Sequence, residues 1–109
     1  MYRLLTLLAA IAALQTGDQT RLMDRIETIA KLPDRAAPTA SYARYYAWLG
    51  DKTVIAIYVR PGIAGAPAGR QWVKPQDLPR ISDGGCAIVT LFYDPAKDEM
   101  TGAMCNASI

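Results

Sequence analysis

Apolar residues recur at helical spacing in one segment near the start of the chain. Between residues 18 and 32 the apolar positions are separated by one, three or four residues, so they fall on one face of a helix. Pro33 ends this run, and Glu27 and Lys31 have the spacing of an i,i+4 ion pair. We therefore predict an amphipathic helix over 18–32, with an apolar face made of Leu22, Met23, Ile26, Ile29 and Ala30.

Two consecutive runs in the middle of the chain are typical of β-strands. Residues 41–48 are rich in aromatic side chains and residues 53–60 in β-branched ones, with turn residues between them. Both faces of the 53–60 run are largely apolar, as are both faces of a later run at 86–93. A strand that is apolar on both faces is covered on both sides, so these two runs are predicted to be central strands.

The connections between these runs are short, which favours antiparallel neighbours. Strands and helices do not alternate along the chain, so nothing in the pattern requires a parallel sheet. A returning strand over about 99–107 completes a set of about four, and residues 71–74 are a candidate for a further short strand. The sequence predicts a single α+β domain over 18–109, with one N-terminal helix packed on an antiparallel sheet of about four strands.

The first fourteen residues have the order of a secretory signal peptide. Arg3 supplies a basic start, an uncharged apolar run extends from Leu4 to Leu14, and small residues cluster near its end. This run is too short to cross a bilayer, which takes about 20 residues. We expect a signal peptide at 1–14, cleaved between about residues 12 and 17. The alternatives are the first turns of a packed helix and an uncleaved membrane anchor.

Cys86 and Cys105 are the two cysteines of the chain. An even number in a small exported domain indicates one disulfide, because oxidising compartments preserve such bonds. A hairpin centred between Pro95 and Ala96 would place the two cysteines opposite each other. The alternative of a reactive thiol lacks an activating histidine and a Cys-x-x-Cys motif.

Charge and composition narrow the function classes. The chain has 109 residues, 12 Lys and Arg against 10 Asp and Glu, a formal net charge of +2, and no histidine. The usual general base near pH 7 and the commonest metal ligand are therefore missing. Charges of both signs are scattered, which argues against a basic nucleic-acid-binding face. We expect no cofactor, no metal site and no nucleic-acid partner.

The aromatic run is the strongest candidate for a binding surface. Alternate side chains of a strand share one face. The face in question would carry Tyr42, Arg44, Tyr46 and Trp48. These residue types combine large contact area with polar tips, which suits contacts with a protein or a sugar. Two alternatives remain open: the rings cover the outer face of a small sheet, or they stack on nucleic-acid bases.

Two further segments offer weaker candidates. The spacing of Gly62, Gly65 and Gly69 fits no phosphate-binding motif, so this segment is interpreted as a flexible loop. Asp77 and Asp83 form the one local pair of carboxylates that would serve a small carboxylate- or metal-dependent enzyme. A turn held by the Asp83 side chain explains the same residues without catalysis.

Four segments carry a family resemblance: Tyr42–Ala47, Arg70–Val73, Asp77–Cys86 and Tyr93–Pro95. Together they resemble a family of small uncharacterised exported proteins of Gram-negative bacteria. The resemblance covers most of the chain after the signal peptide and implies export and a small domain. It implies no activity, because none of the four segments is diagnostic of a chemistry.

These patterns favour a binding protein over an enzyme. We expect a periplasmic or secreted, non-enzymatic module that acts as a binding, accessory or inhibitor protein on an envelope or extracellular protein. Export, one disulfide, surface-suited aromatic residues and the lack of catalytic constellations support this expectation. The alternatives are a small carboxylate- or metal-dependent enzyme and, if the N-terminal segment is retained, a membrane-anchored accessory protein. After signal removal we expect no stable membrane insertion.

Overall fold

The computed structural model describes residues 17–107, and the predicted signal peptide at 1–14 lies outside them. Residues 17–29 are helical and form α1. The helix ends at residue 29 instead of the predicted residue 32, because Pro33 disfavours helical backbone just before it. No helix in the described range has the length and apolar character that a membrane span requires.

One five-stranded sheet follows the helix, with the strand order β3-β1-β2-β4-β5. Neighbouring strands are antiparallel except for β1 and β3, which are parallel. β2 and β4 lie inside the sheet, as their apolar faces predict. The strands are β1 Ala43–Leu49, β2 Thr53–Val59, β3 Gly69–Trp72, β4 Ile88–Asp94 and β5 Glu99–Cys105.

The α+β class is confirmed, but the expected sheet of four antiparallel strands is wrong: the sheet is mixed and has five. The additional strand, β3, corresponds to the short strand considered at 71–74. β2 lies between β1 and β3 in the chain and runs antiparallel to β1. The chain has therefore already reversed direction once before β3, so β3 can pair in parallel with β1 without a crossover helix. The loop after β2 passes the end of β1, where Ala66 is buried against Ala43 and Val59, and delivers β3 to the free edge of β1.

Helix α1 covers one face of the sheet, which we call the near face; the opposite side is the far face. Met23 and Ile26 on the inner side of α1 are buried against β1, β2 and β4. Removal of this apolar surface from water is the main favourable term in the packing. The sheet residues of this core are Tyr42, Tyr46, Val54, Ala56, Tyr58, Val89, Leu91 and Tyr93.

Among residues 17–107, the far face is covered only at one end. There Ala66 and Ile81, from the two long loops, pack against the sheet. Away from these loops, Leu49 and Met104 on the same face remain 47% and 50% exposed. Within residues 17–107, α1 therefore buries most of the near face, and the two loops cover only part of the far face.

The predicted disulfide between Cys86 and Cys105 is confirmed, with Cα atoms 4.6 Å apart. Cys86 does not begin a strand, because β4 starts at Ile88. Gly84 and the next glycine adopt positive φ, a conformation that glycine tolerates, and they lead into a 3-10 turn over Gly85–Ala87. The disulfide therefore joins this turn to the end of β5.

The hairpin between β4 and β5 turns one residue later than predicted. Asp94 pairs with Glu99, so the turn is not centred between Pro95 and Ala96. The Asp94 carboxylate accepts hydrogen bonds from the backbone N–H groups of Ala96, at 3.0 Å, and Lys97, at 3.3 Å. The predicted turn chemistry is thus used, in a slightly different register.

We expect the Cys86→Ser/Cys105→Ser double variant to lose about 2–4 kcal/mol of free energy of unfolding, because the unfolded chain regains the entropy of the open loop. Urea denaturation of the wild type and the variant measures the loss. The reduced wild type is the control and should match the variant. An unchanged urea midpoint in the variant would show that the bond contributes nothing to stability.

Candidate functional site

Glu27 is a carboxylate on the inner side of α1, next to the buried Ile26. Its side chain is only 18% exposed. A charge held this far from water is costly unless other groups donate to it or neutralise it. The groups that do so come from the strands beneath the helix.

Three side chains of the sheet donate to the Glu27 carboxylate. Tyr46 donates from Oη to Oε2, while Arg44 and Arg70 donate from Nη1 to Oε1 at 3.1 and 3.3 Å. Arg70 Nη1 also lies 2.7 Å from Oδ1 of Asp24, one turn earlier in the helix. Because Arg44 lies on β1 and Arg70 on β3, one carboxylate joins the helix to two strands.

Tyr58 on β2 extends this arrangement: its Oη lies 2.8 Å from Tyr46 Oη. We call Glu27, Arg44, Tyr46, Tyr58 and Arg70 the Glu27 network. Burial raises the pKa of Tyr58 to about 12. Burial, with the adjacent Tyr58 and Glu27, raises the pKa of Tyr46 still further above its ordinary value. Both phenols are therefore neutral at physiological pH, and they act as hydrogen-bonding groups, not as bases or nucleophiles.

A second ion pair fastens α1 to the β4–β5 hairpin. Arg25 Nε and Nη2 lie 2.9 and 2.7 Å from the two carboxylate oxygens of Asp98, and Tyr93 Oη donates to Asp98 Oδ1 at 2.6 Å. Hydrogen bonds from Arg25 and Tyr93 lower the pKa of Asp98 to about 2. The pair is exposed to solvent, so it contributes less to stability than the Glu27 network does.

The structure brings the four residues of the predicted aromatic face to the near side of the sheet, where α1 covers most of them. Tyr42 and Tyr46 are 1% and 0% exposed, and Arg44 is held by Glu27. Tyr42 Oη donates to the carbonyl of Cys86 at 2.7 Å. The row is thus covered by the helix, and Trp48, which is 37% exposed, is its accessible member.

Trp48 borders a cleft of about 340 Å³ between the described start of α1 and the end of β1. Leu22 supplies an apolar wall, and the rim carries Asp18 and Arg21, which form an ion pair. The ring of Trp72 on β3 meets Trp48 edge-on, with centroids 6.0 Å apart. We call this place the Trp48 cleft.

Trp72 connects the Trp48 cleft with the Glu27 network. Its ring stacks on Tyr46 at a centroid distance of 6.5 Å and an interplanar angle of 12°. Tyr46 in turn donates to Glu27. Two aromatic contacts therefore connect the exposed Trp48 to a phenol that donates to the helix.

The remaining predicted candidates lie on the other side of the molecule. Asp77 is exposed and lines a cleft of about 230 Å³ with Arg80 and Ile63, between the glycine-rich loop and the segment after β3. Asp83 is exposed, and its carbonyl accepts a hydrogen bond from Asn106. Within residues 17–107, no group of three or more Cys, His, Asp or Glu side chains is placed to hold a metal ion.

Sequence reasoning missed the Glu27 network. The spacing of Glu27 and Lys31 predicts a surface ion pair, but Glu27 pairs with Arg44 and Arg70 instead. One signal was available: Glu27 lies in the apolar stripe of the helix, four residues after Met23. An acidic residue inside such a stripe indicates a partner on the facing element.

We expect Glu27→Ala to lower the free energy of unfolding by about 2–4 kcal/mol, because it leaves the charge of the half-buried Arg44 without its counter-ion. Chemical denaturation followed by circular dichroism gives the value. Glu99→Ala, at an exposed position on β5, is the matched control and should change stability by less than about 0.5 kcal/mol. Equal stability of the two variants would contradict a structural role for the network.

Stability should fall as the pH rises from about 10 to about 12. The pKa of Tyr58 is raised from 10.0 to about 12, so in this range the unfolded chain loses a proton that the folded protein retains. Denaturation curves at increasing pH measure the fall, and the ultraviolet absorbance of tyrosinate reports the ionisation. The Tyr58→Phe variant should show a shallower fall, and an equally steep one would assign the effect to other groups.

No protein-family model, curated protein or solved structure matches the chain at a significant level. The geometry therefore carries the functional inference. The Glu27 network pairs its carboxylate with Arg44 and Arg70 and so holds α1 on the sheet, although Nε of Arg44 is buried without a hydrogen-bond partner. The Trp48 cleft presents an exposed aromatic ring beside an apolar wall, and it is the candidate functional site.

Proposed function

We propose that the protein is an exported, non-enzymatic binding module that recognises an envelope or extracellular protein at the Trp48 cleft, as an accessory or inhibitor protein. The observation that carries this proposal is the exposure of Trp48, which is 37% accessible although the other aromatic residues of its row are buried. A large ring left in water beside Leu22 costs free energy that a partner would recover by covering it.

The residues around the cleft have the composition of an interface centre. Tryptophan and arginine are the residue types most enriched among those that dominate binding energy, and here Arg21 flanks Trp48. The cleft volume of about 340 Å³ accommodates one large aromatic or aliphatic side chain with its backbone. The matching partner is a protein segment with an apolar anchor and a polar rim that meets Asp18 and Arg21.

The Glu27 network favours binding by keeping the cleft rigid. Trp72 supports Trp48 from the side, and the stacking of Trp72 on Tyr46 fixes that support. A site that is already ordered loses little conformational entropy when a partner binds. The ion pairs of Glu27 hold the helix wall of the cleft at a constant distance from the sheet.

The disulfide supports an extracytoplasmic location, together with the predicted signal peptide. Bonds such as Cys86–Cys105 persist in the periplasm and outside the cell and are rare in a reducing cytosol. A periplasmic or secreted location also gives the module access to envelope partners. The alternative of a carboxylate-dependent enzyme has little support, because Asp77 and Asp83 are both exposed and belong to no larger acidic cluster among the described residues.

Affinity capture from an envelope extract with the wild type, Trp48→Ala and Ile63→Ala tests the proposal. Trp48 and Ile63 are 37% and 36% exposed, so the two variants remove similar exposed apolar groups at different places. We expect Trp48→Ala to reduce recovery of the specific partner by about tenfold or more, since truncation of a hot-spot residue costs at least about 2 kcal/mol. Ile63→Ala should capture it as the wild type does.

Thermal unfolding of each variant shows whether a loss of capture reflects unfolding. If folded Trp48→Ala recovers the same proteins in the same amounts as the wild type, the cleft is not the binding site. Intact mass of the protein isolated from the periplasmic fraction tests the location separately. A protein found only in the cytoplasm would contradict export.

A further inference from the structure

The two edges of the sheet differ in how well they are protected. β3, at one edge, has four residues and lies between Pro67 and Pro75 in the chain. β5, at the other edge, has seven residues and contains no Lys, Arg or Pro. Within the described residues, β5 pairs only with β4. Soluble proteins commonly protect exposed edge strands from pairing with other chains by making them short or by placing proline or charged residues there. β3 has such protection, and β5 has much less of it.

We propose that β5 is a dimerisation edge: a second copy of the chain adds its own β5 in antiparallel orientation, with the two-fold axis at Ala103. Such a contact is isologous, since each copy presents the same strand to the other. It extends the sheet continuously from one copy into the next. It also satisfies the outward backbone N–H and C=O groups of both strands.

A β-bulge in β5 is the reason for placing the two-fold axis at Ala103. The pairing of β4 with β5 shifts between Phe92 and Tyr93, which leaves Thr101 as an extra residue in β5. The regular part of the edge is therefore the segment after Thr101. A two-fold axis at Ala103 centres the contact on that part, and it sets Gly102 of each copy opposite Met104 of the other.

The side chains in this register are complementary. Met104 is 50% exposed on the far face, whereas Gly102, on the same face, has no side chain. A Cβ atom built at Gly102 would lie 3.1 Å from the ring of Phe92 and 3.8 Å from Cε of Met104 in the same chain, so the Phe92 ring already leans over the glycine. Met104 of the second copy, placed opposite Gly102, lies against this Phe92 ring, and thioether–aromatic contacts of this kind are favourable.

Charge also favours a second copy as the occupant. The segment from Met100 to Cys105 carries no charge, so two identical strands meet there without repulsion. Glu99 is opposite residue 107 in this register, which keeps the two Glu99 carboxylates far apart. An extended segment of another protein would satisfy the same backbone groups, but it would have no reason to place methionine opposite Gly102.

The contact is small, so the dimer should be reversible. Pairing of two short edges with two methionine contacts falls at the lower end of specific interfaces, at or below about 1,200 Å² of buried surface. We therefore expect dissociation at micromolar or higher concentration. The Trp48 cleft stays open in the dimer, because β2 and β4 separate β1 from β5.

Sedimentation velocity from low micromolar to millimolar concentration tests for the dimer. The weight-average sedimentation coefficient of the wild type should rise from that of a monomer towards that of a dimer. Met104→Lys, which puts a charge into the contact, should raise the dimer Kd by about tenfold or more. The control, Leu49→Lys, places the same charge at another exposed far-face position, 47% accessible, and should sediment as the wild type does.

A cysteine introduced at the axis tests the register. Directly opposite residues of antiparallel strands have Cβ atoms about 5 Å apart, within reach of a disulfide after small shifts. Oxidised Ala103→Cys should thus form a covalent dimer on a non-reducing gel, and Glu99→Cys should not. Peptide mass mapping confirms that Cys86–Cys105 is retained in both variants.

A wild type that remains monomeric up to millimolar concentration overturns the proposal. So does a dimer that Met104→Lys leaves intact, or one that Ala103→Cys fails to cross-link, since the copies would then meet at another surface or in another register. These outcomes are separate from the proposed function, because Trp48 does not take part in the edge contact.

Discussion

The structure depends on one carboxylate placed between a helix and a sheet. Glu27 gives up most of its hydration under α1, and that loss is offset because Arg44, Arg70 and Tyr46 all donate to it. These donors come from β1 and β3, so the carboxylate sets the position of the helix along and across the sheet. Apolar packing of Met23 and Ile26 holds the helix against the sheet, but the hydrophobic effect is non-directional and does not by itself fix their relative orientation. The ionic contacts select one arrangement among the many that apolar packing would allow.

That arrangement decides which aromatic residues are exposed to solvent. Tyr46 donates to Glu27 and stacks on Trp72, and Trp72 meets Trp48. The helix buries the first of these rings and leaves the last partly in water. The proposed recognition surface therefore lies where α1 no longer covers the sheet. The chemistry of the network agrees with this role, because phenols whose pKa values are raised by burial stabilise a position and do not transfer protons near neutral pH.

The parts of the fold that the sequence predicts correctly are those encoded locally. Helical spacing, β-branched runs, the turn at Asp94 and a pair of cysteines identify α1, four of the strands and the disulfide, with ends shifted by a few residues. β3 is less predictable, because Gly69–Trp72 becomes a strand by pairing with the free edge of β1. The Glu27 network joins positions distant in sequence, so helix periodicity points to Lys31 while the tertiary structure supplies Arg44 and Arg70. Whether the aromatic row is exposed to solvent depends on which face of the sheet α1 covers. The presence of aromatic side chains on one face of a strand does not determine which face the helix covers.

The division of the sheet into a near and a far face explains why new contacts are proposed at its margins. Small domains bury a smaller fraction of their surface than large ones, and residues 17–107 leave part of the far face and the β5 edge uncovered. The near face takes α1, and its Glu27 carboxylate is neutralised by Arg44 and Arg70. The long loops close one end of the far face through Ala66 and Ile81, which leaves exposed apolar groups near β5. The disulfide at Cys105 anchors that strand to the turn before β4, so its edge is ordered before any partner arrives. Pairing of an edge strand that is already ordered loses less conformational entropy than pairing of a mobile one. The disulfide would therefore also favour the proposed pairing of β5 with a second copy of the chain.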